Sequence, residues 1–514
     1  MLLTAEVSEC KSTYARKIMN LSPMLCSLNT SFGDETIKKT CKSECRKNCQ
    51  DNALPFLLSI LCLLSSVLGP LNQAGAQNIS DPGNQSSKSY TLSESVQRCL
   101  QVNPQIEEAK YEVKKAQDDI GSARSSFLPT LGANYQYNDL RSIDSSGPTE
   151  TDYLDQDSAY WNLQLTQRLF AGLTIFNSYQ KSKLQEDMRA YQKEKVEMEL
   201  IREVQSSFLQ LLQARADVQS LQDTIERLQA GLKSVQAYYE QDMAPYVQVL
   251  EAEVELANAR QDLSKAQNQV ETHRVRLNIL LGHDPQMDID YRGELQDMSY
   301  IFSPSLRACL GCAFKQRPDI RIIDKSIGMA EKEEDIALGQ FSPRVNLQGN
   351  YYSRDTDYDA KGQNIAGQSF DRDQENEYWT VGITVEWPLF EGGRRYYGYQ
   401  KASHEISRLQ QRLKYTKDQI RSEVRTSFLS LTEARSRIET NRTALKAAQE
   451  NFERSLKRLQ SGMGTSTEVL DAQARLTRAE ANLTQSRADY QLSLADLMYA
   501  IGQRNVDLSP VVLE

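Results

Sequence analysis

The chain has 514 residues, of which 39% are hydrophobic and 25% charged, and it carries a net charge of −9. That length could hold several domains, yet the apolar share is lean for one compact core of this size. The negative balance argues against a nucleic-acid partner, since phosphate binding calls for clustered Lys and Arg.

The N-terminal part reads as an export signal. Leu54 to Leu68 is an apolar run preceded by Lys38, Lys39, Lys42, Arg46 and Lys47 and followed by Ala74-Gly75-Ala76. Basic residues, an apolar run and a small-x-small site form the pattern that a signal peptidase cuts. The run is too short for a spanning helix, which needs about 20 apolar residues. Residues 1–76 are therefore assigned to leader and signal peptide, with an upstream start codon suspected and the mature chain beginning near Gln77. Residues 77–90 form a linker.

The rest of the chain carries one pattern twice, as a first repeat (91–282) and a second (303–502), separated by a linker (283–302) and ended by a tail (503–514). Pro104-x-Ile106 and Phe127-x-Pro129 return as Pro318-x-Ile320 and Phe341-x-Pro343. Leu169-Phe170-x-Gly172 returns as Leu389-Phe390-x-Gly392, Met243 as Met463, and Val249-Leu250-x-Ala252 as Val469-Leu470-x-Ala472. A long duplication points to a symmetric structural body rather than to a single catalytic pocket.

Each copy opens on a short amphipathic helix, Thr91 to Val102 or Ser303 to Gln316, broken by the next proline because the residue before proline disfavours helix. A second helix leads to the Phe-x-Pro turn. The period then changes from 3.6 to 2. Val345, Leu347, Gly349 and Tyr351 alternate with Asn346, Gln348 and Asn350, and Trp379, Val381, Ile383, Val385 and Trp387 alternate with Thr380, Gly382, Thr384 and Glu386. The first copy does the same with Ala133, Tyr135 and Tyr137, then with Trp161, Leu163 and Leu165. Strands are expected at ~130–139, ~158–170, ~344–354 and ~377–389, a length and alternation that fit transmembrane strands facing lipid on one side and water on the other. Trp161, Trp379 and Trp387, the three tryptophans of the chain, are placed in these strands as interfacial aromatics. A soluble sheet with one buried face is the alternative. Acidic loops join the strand pairs, with Asp139, Asp144, Glu150, Asp152, Asp155 and Asp157 in one and Asp355, Asp357, Asp359, Asp371, Asp373, Glu375 and Glu377 in the other.

Beyond each Gly come two long helices, ~172–242 and ~246–281 in the first copy, ~392–461 and ~465–501 in the second. Leu476, Leu483, Tyr490 and Leu497 repeat every seven residues, each followed three positions later by Ala479, Ser486, Ser493 or Ala500. That is a coiled-coil seam with a small-residue side. Four strands cannot close a membrane barrel, because their edges would stay unpaired in lipid. Three copies would supply twelve strands and twelve long helical segments.

Together these features resemble an outer membrane factor of the TolC family across about residues 90–505. The resemblance rests on Asn103-Pro104 and Arg317-Pro318, the two Phe-x-Pro turns, Trp387-Pro388-Leu389-Phe390-Glu391-Gly392-Gly393, and Gly462-Met463-Gly464-Thr465 followed by Glu468-Val469-Leu470-Asp471-Ala472. It implies a mostly α protein with membrane β. Four strands per chain would complete a trimeric 12-strand outer-membrane β-barrel, standing on a 12-helix periplasmic coiled-coil α-barrel. It implies as partners a homotrimer, a periplasmic adaptor (membrane fusion) protein, an inner-membrane transporter of RND, ABC or MFS type, and outer-membrane lipid. The function would be that of an exit duct for efflux or type I secretion, its cargo open. A periplasmic coiled-coil adaptor is the competing reading, but no β-rich lipoyl-like segment interrupts the helices.

No enzyme and no cofactor is expected. His273, His283 and His404 pair with no nucleophile or metal-ligand set. Cys309-x-x-Cys312 could be a redox pair or half a metal site, and Cys99 could form a disulfide with one of the two, but free buried thiols are the default expectation. The resemblance places Glu468 and Asp471 in an acidic ring at the pore constriction, with Gln248 and Glu251 as their first-copy counterparts. It gives adaptor docking to the turns Met243-Ala244-Pro245 and Gly462-Met463-Gly464-Thr465. Where the family's best-known member closes through an Asp linked to a Tyr and an Arg, this chain has Gln248, Leu459 and Gly464.

Overall fold

The computed structural model describes residues 89–144, 152–295, 305–360 and 374–504. The leader and signal peptide lie outside the described residues, as do Glu150, Asp371 and Asp373 of the acidic loops. A two-residue strand β1 (Ser89–Tyr90) precedes helices α1 (Leu92–Val102) and α2 (Pro104–Ser125), strands β2 (Thr130–Asp144) and β3 (Asp152–Phe170), and helices α3 (Thr174–Glu240) and α4 (Tyr246–Leu280). After β4 (Asp290–Tyr291), the second repeat gives α5 (Leu306–Gln316), α6 (Pro318–Gly339), β5 (Arg344–Ala360), β6 (Gln374–Glu386), α7 (Arg394–Gln460) and α8 (Ser466–Ala500).

The helix starts follow from capping. Thr91 accepts from the Glu94 amide at 3.4 Å while Glu94 accepts from the Thr91 amide at 2.8 Å, a reciprocal box at the head of α1. The Asn103 side-chain oxygen accepts from the Gln105 amide at 2.9 Å, and Pro104 takes the first helical position of α2, where its missing N–H costs nothing. The α2, α3 and α4 helices have 22, 67 and 35 residues, and so do α6, α7 and α8. At 1.5 Å per residue α3 and α7 are each about 100 Å long.

The fold is a four-stranded antiparallel sheet, in the order β2-β3-β5-β6, continuing into a shaft of helices. In the shaft α3 packs on α2 and α4 of its own repeat and on α6 and α8 of the other. The α7 helix packs on α5, α6 and α8, all of its own repeat. Each repeat has its own core at the waist. Val96, Cys99, Ile106, Phe208 and Leu277 gather in the first, and Cys309, Ala313, Ile420, Val424 and Leu497 in the second. The heptad residues Leu476, Leu483, Tyr490 and Leu497 are buried, as are Ala479, Ser486 and Ala500, whereas Ser493 is half-buried.

Three features differ from expectation. The strands run past the apolar alternation, so Asp139, Asp144, Asp152, Asp155, Asp157, Asp355, Asp357, Asp359, Glu375 and Glu377 belong to strands rather than loops. Backbone pairing continues wherever a partner strand lies alongside, whatever the side chains. Trp387 falls just beyond β6, where its indole N–H donates to the Phe341 carbonyl at 3.1 Å. The parallel pair β1–β4, with Tyr90 opposite Tyr291, has no counterpart among the expected strands. Tyr291 there is fully buried, gives its hydroxyl proton to Asn278 at 2.7 Å and meets Phe208 edge-on.

Candidate functional site

The sheet brings the alternating residues into continuous rows. Register places Ala133, Leu163, Tyr351 and Trp379 side by side, and next to them Leu131, Leu165, Gly349 and Val381. The opposite face carries the rows Gly132, Gln164, Asn350, Thr380 and Thr130, Thr166, Gln348, Gly382. In these rows one face is apolar and the other polar and uncharged across all four strands. Charge joins the polar face farther along, at Arg354 toward one end and at Arg168, Arg344 and Glu386 toward the other. The apolar face is bare: Trp379, Val381, Ile383 and Val385 are all more than 60% exposed. Trp161 meets Tyr135 near one end, with tilted rings 4.8 Å apart, and Trp387 and Phe170 mark the other. From Trp379 to Trp387, just past the end of β6, the extended chain covers about 26 Å, close to the apolar band of a membrane barrel. Among the described residues both β2 and β6 pair on one side only, which leaves two open edges.

At the far end of the shaft lie the two hairpin turns. Each follows the same C-cap geometry, with Met243 donating to the Tyr238 carbonyl at 2.8 Å and Met463 to the Arg458 carbonyl at 2.9 Å. The residue that must turn left-handed is Gly462 in one, at φ +71°, and Asp242 in the other, at φ +56°. Met243 and Met463 are about 70% exposed at the tips.

Glu468 and Asp471 lie on the first turns of α8, both exposed, the Glu468 side chain by 47%. The Thr465 hydroxyl caps the Glu468 amide at 3.2 Å, and the Arg458 guanidinium lies 3.9 Å from the Glu468 carboxylate. Glu251 is drawn to the same place, accepting from the Thr467 hydroxyl at 3.3 Å, whereas Gln248 is half-buried on α4. Glu251 and the head of α8 thus meet within one chain. Arg458 escaped sequence reasoning because its first-copy counterpart is Tyr238, which gave no sign of a charge partner for Glu468. Beside the turns, a cavity of about 320 Å³ opens between α3, α7 and the start of α8, lined by Leu228, Val235, Tyr238, Leu456, Val469 and Leu470 among others.

Among the described residues Cys99, Cys309 and Cys312 are free thiols, the first two buried and Cys312 half-buried, which leaves the disulfide alternative unformed. Cys99 sits in the core of the first repeat and Cys309 in that of the second, so the fold keeps them apart. Burial pushes the Cys99 thiol up to about 11 and the Cys309 thiol upward as well, which keeps both protonated and unreactive. Among the described residues no cluster of three or more His, Cys, Asp or Glu side chains could hold a metal, and no helix is long and apolar enough to cross a membrane.

The outer membrane efflux protein family matches residues 95–283 and 310–503, one segment per repeat. The chain belongs to the outer membrane efflux protein family. It is an outer-membrane protein with a helical periplasmic extension, in a family of export channels rather than enzymes. Its fold is similar to that of the outer membrane protein VceC from Vibrio cholerae, at 17% identity and a TM-score of 0.65 over 80% of this chain and 96% of that one. The Campylobacter jejuni outer membrane channel CmeC gives 17% and 0.66 over 85% and 93%. The open state of the Neisseria gonorrhoeae outer membrane channel MtrE gives 17% and 0.60 over 80% and 89%. No curated protein sequence matches the chain significantly. At these identities the structural likeness speaks to fold, and the two segments matched by the family correspond to the two repeats.

Proposed function

We propose that three copies of this outer membrane efflux protein close into a twelve-stranded barrel and serve as the exit duct of a tripartite efflux pump or type I secretion system. One observation carries the reading: a continuous, bare apolar sheet face bounded by two open edges, on helices about 100 Å long. In lipid, open edges leave backbone groups unsatisfied at several kcal/mol each, so the sheet demands further strands. Four strands per chain give an even, closable number with three copies.

At the periplasmic end, Glu468 and Asp471, with Glu251 and Gln248 beside them, form the constriction. Three copies would set a ring of carboxylates there, the arrangement that favours cations in a pore. The turns Met243-Ala244-Pro245 and Gly462-Met463-Gly464-Thr465 receive a periplasmic adaptor protein. The apolar cavity behind them suits a helical hairpin tip, and an inner-membrane transporter supplies the cargo.

Electron microscopy of the protein purified from outer membranes tests the architecture. A threefold tube of ~140 Å is expected from the helices plus the barrel, and slender unclosed rods would sink it. For the constriction, Glu468→Gln combined with Asp471→Asn should lower the cation preference of single channels in planar bilayers. An unchanged preference would remove these residues from the pore.

A further inference from the structure

The polar face of the sheet holds one group of residues that a wetted wall does not call for. Over the five rows from Thr130 to Asn138 this face carries amides, hydroxyls and glycines, apart from three tyrosines and one arginine. Register sets Asn134, Asn162, Tyr352 and Tyr378 side by side, and the next row away from the shaft holds Gln136, Tyr160, Arg354 and Asn376. Tyr352 and Tyr378 stack with centroids 4.7 Å apart at 24°, and Tyr160 joins Tyr352 at 5.9 Å and 34°. The three rings form a short stack across β3, β5 and β6. Tyr160 and Tyr352 are half-buried, while Tyr378, at the open end of the stack, is 53% exposed.

A cross-strand pair of tyrosines alone is ordinary sheet packing. This group differs in two ways. Its rings lie on the face whose other side chains prefer water, where no core needs them. Arg354 beside them stands alone: it is exposed and, among the described residues, has no carboxylate partner. The carboxylates nearest to it along the strands, Asp355, Glu375 and Glu377, all take the opposite face. At this level the strands put acid on one side and the single guanidinium, with the rings, on the other.

We infer that the three tyrosines and Arg354 form a binding site for planar aromatic anions, aromatic carboxylates or sulfonates, on the lumen wall toward the outer mouth. The inference rests on the proposed channel, which turns the polar face inward, and adds a ligand site to it. A flat ring continues the stack on the face of Tyr378 that Tyr352 leaves uncovered, in the offset arrangement that aromatic pairs favour. Its acid group meets the guanidinium of Arg354, which lies diagonally from Tyr378 across β5 and β6, within reach of a long side chain. The planar fork of that guanidinium matches the paired oxygens of an acid group. A neutral ring gains the stack without the ion pair, and an aliphatic anion gains the ion pair without the stack, so the site selects for both features together. The constriction at the periplasmic end favours cations, but about 100 Å of shaft separates it from this site. That is many times the ~10 Å reach of a charge in saline, so the two preferences act independently.

Titration calorimetry on the full chain, extracted from outer membranes in detergent, tests the site with naphthalenesulfonate as probe. Saturable binding is expected. Cyclohexanesulfonate, which has the charge without a π face, and naphthol, which has the ring without the charge, should each bind roughly tenfold more weakly. Tyr378→Ala should weaken naphthalenesulfonate roughly tenfold, whereas Tyr378→Phe keeps the ring and should bind as the native protein does. Arg354→Gln should bring naphthalenesulfonate down to the level of naphthol. Equal affinity for the three probes, no saturable binding, or binding indifferent to both Tyr378→Ala and Arg354→Gln would overturn the site. Single-channel recording of the same preparations in planar bilayers reports on the channel separately and shows that each variant has folded. Conductance without selective binding overturns this site and leaves the channel standing. A native protein that never conducts overturns the channel and, with it, the placement of the site in a lumen.

Discussion

In the first repeat a neutral amide joins the start of α2 to the end of α4; in the second a guanidinium joins α6 to α8. Asn103, 5% exposed, donates to the Leu280 carbonyl at 3.2 Å while its oxygen caps α2. Arg317, also 5% exposed, reaches the Tyr499 carbonyl at 3.4 Å, lies over the Tyr499 ring, and pairs with Asp319 at 2.9 Å and Glu423 at 3.1 Å. Lys195 of α3 joins Asp319 at 2.9 Å, which ties the network to the other repeat. The task at both waists is to satisfy carbonyls that a helix end leaves without partners. A duplicated fold can meet that need with one amide or with a charged network. Only the network brings a second dependence, because Arg317 and Asp319 are largely out of water and rely on their charge partners.

That comparison predicts unequal costs. Arg317→Ala removes a buried guanidinium, leaving the Tyr499 and Ala500 carbonyls without it and Asp319 with Lys195 alone. It should destabilise the protein by about 3 kcal/mol, at the low end for breaking a buried pair. Asn103→Ala removes one buried hydrogen bond and one cap and should cost about 1–2 kcal/mol. Chemical denaturation in detergent would rank the two, and the reverse order would break the comparison. The network also predicts a dependence on pH. Burial works against ionisation of Asp319, but Arg317 and Lys195 together hold its carboxyl below the ordinary 3.8. A carboxylate lowered on folding stabilises the protein above its unfolded pKa and loses that contribution as pH falls through the folded one. Stability should therefore drop below about pH 3.8, and Asp319→Asn should flatten that part of the profile. The first repeat has Gln105 at the matching position and no such group.

The helices and the sheet were legible because burial imposes a period. The seam residues Leu476, Leu483 and Leu497 had to recur every seven positions, and Val381, Ile383 and Val385 every two. Family membership followed from the order of those signals. What stayed hidden depends on contacts between distant segments. The two-residue β1–β4 pair has no room for a period, and Tyr291 looks like any tyrosine until Phe208 and Asn278 surround it. In the sequence Arg317 reads only as a helix start, and nothing near it announces Glu423 or Tyr499. Strand ends went past the apolar stretch because the ladder, not hydrophobicity, decides where pairing stops. The placement of Glu468 beside Arg458 likewise needed the turn to fold back.

The hairpin turns allow the same comparison of repeats at smaller energies. Both turns need a left-handed residue to satisfy the last carbonyls of the helix. Gly462 adopts it without a Cβ penalty, whereas Asp242 holds φ +56° against the steric preference of an L-residue. Asp tolerates that region better than most residues, so the strain is modest. Asp242→Gly should release it while loosening the unfolded chain, for a net gain of about 0.5 kcal/mol. Gly462→Ala should lose about 1 kcal/mol, since open space surrounds its Cβ position and only the backbone objects. Hydrogen exchange at the Met243 and Met463 amides, whose bonds close the two turns, would report these local changes more sharply than global unfolding. Equal protection of both amides in the native protein would show that Asp242 carries no strain at all.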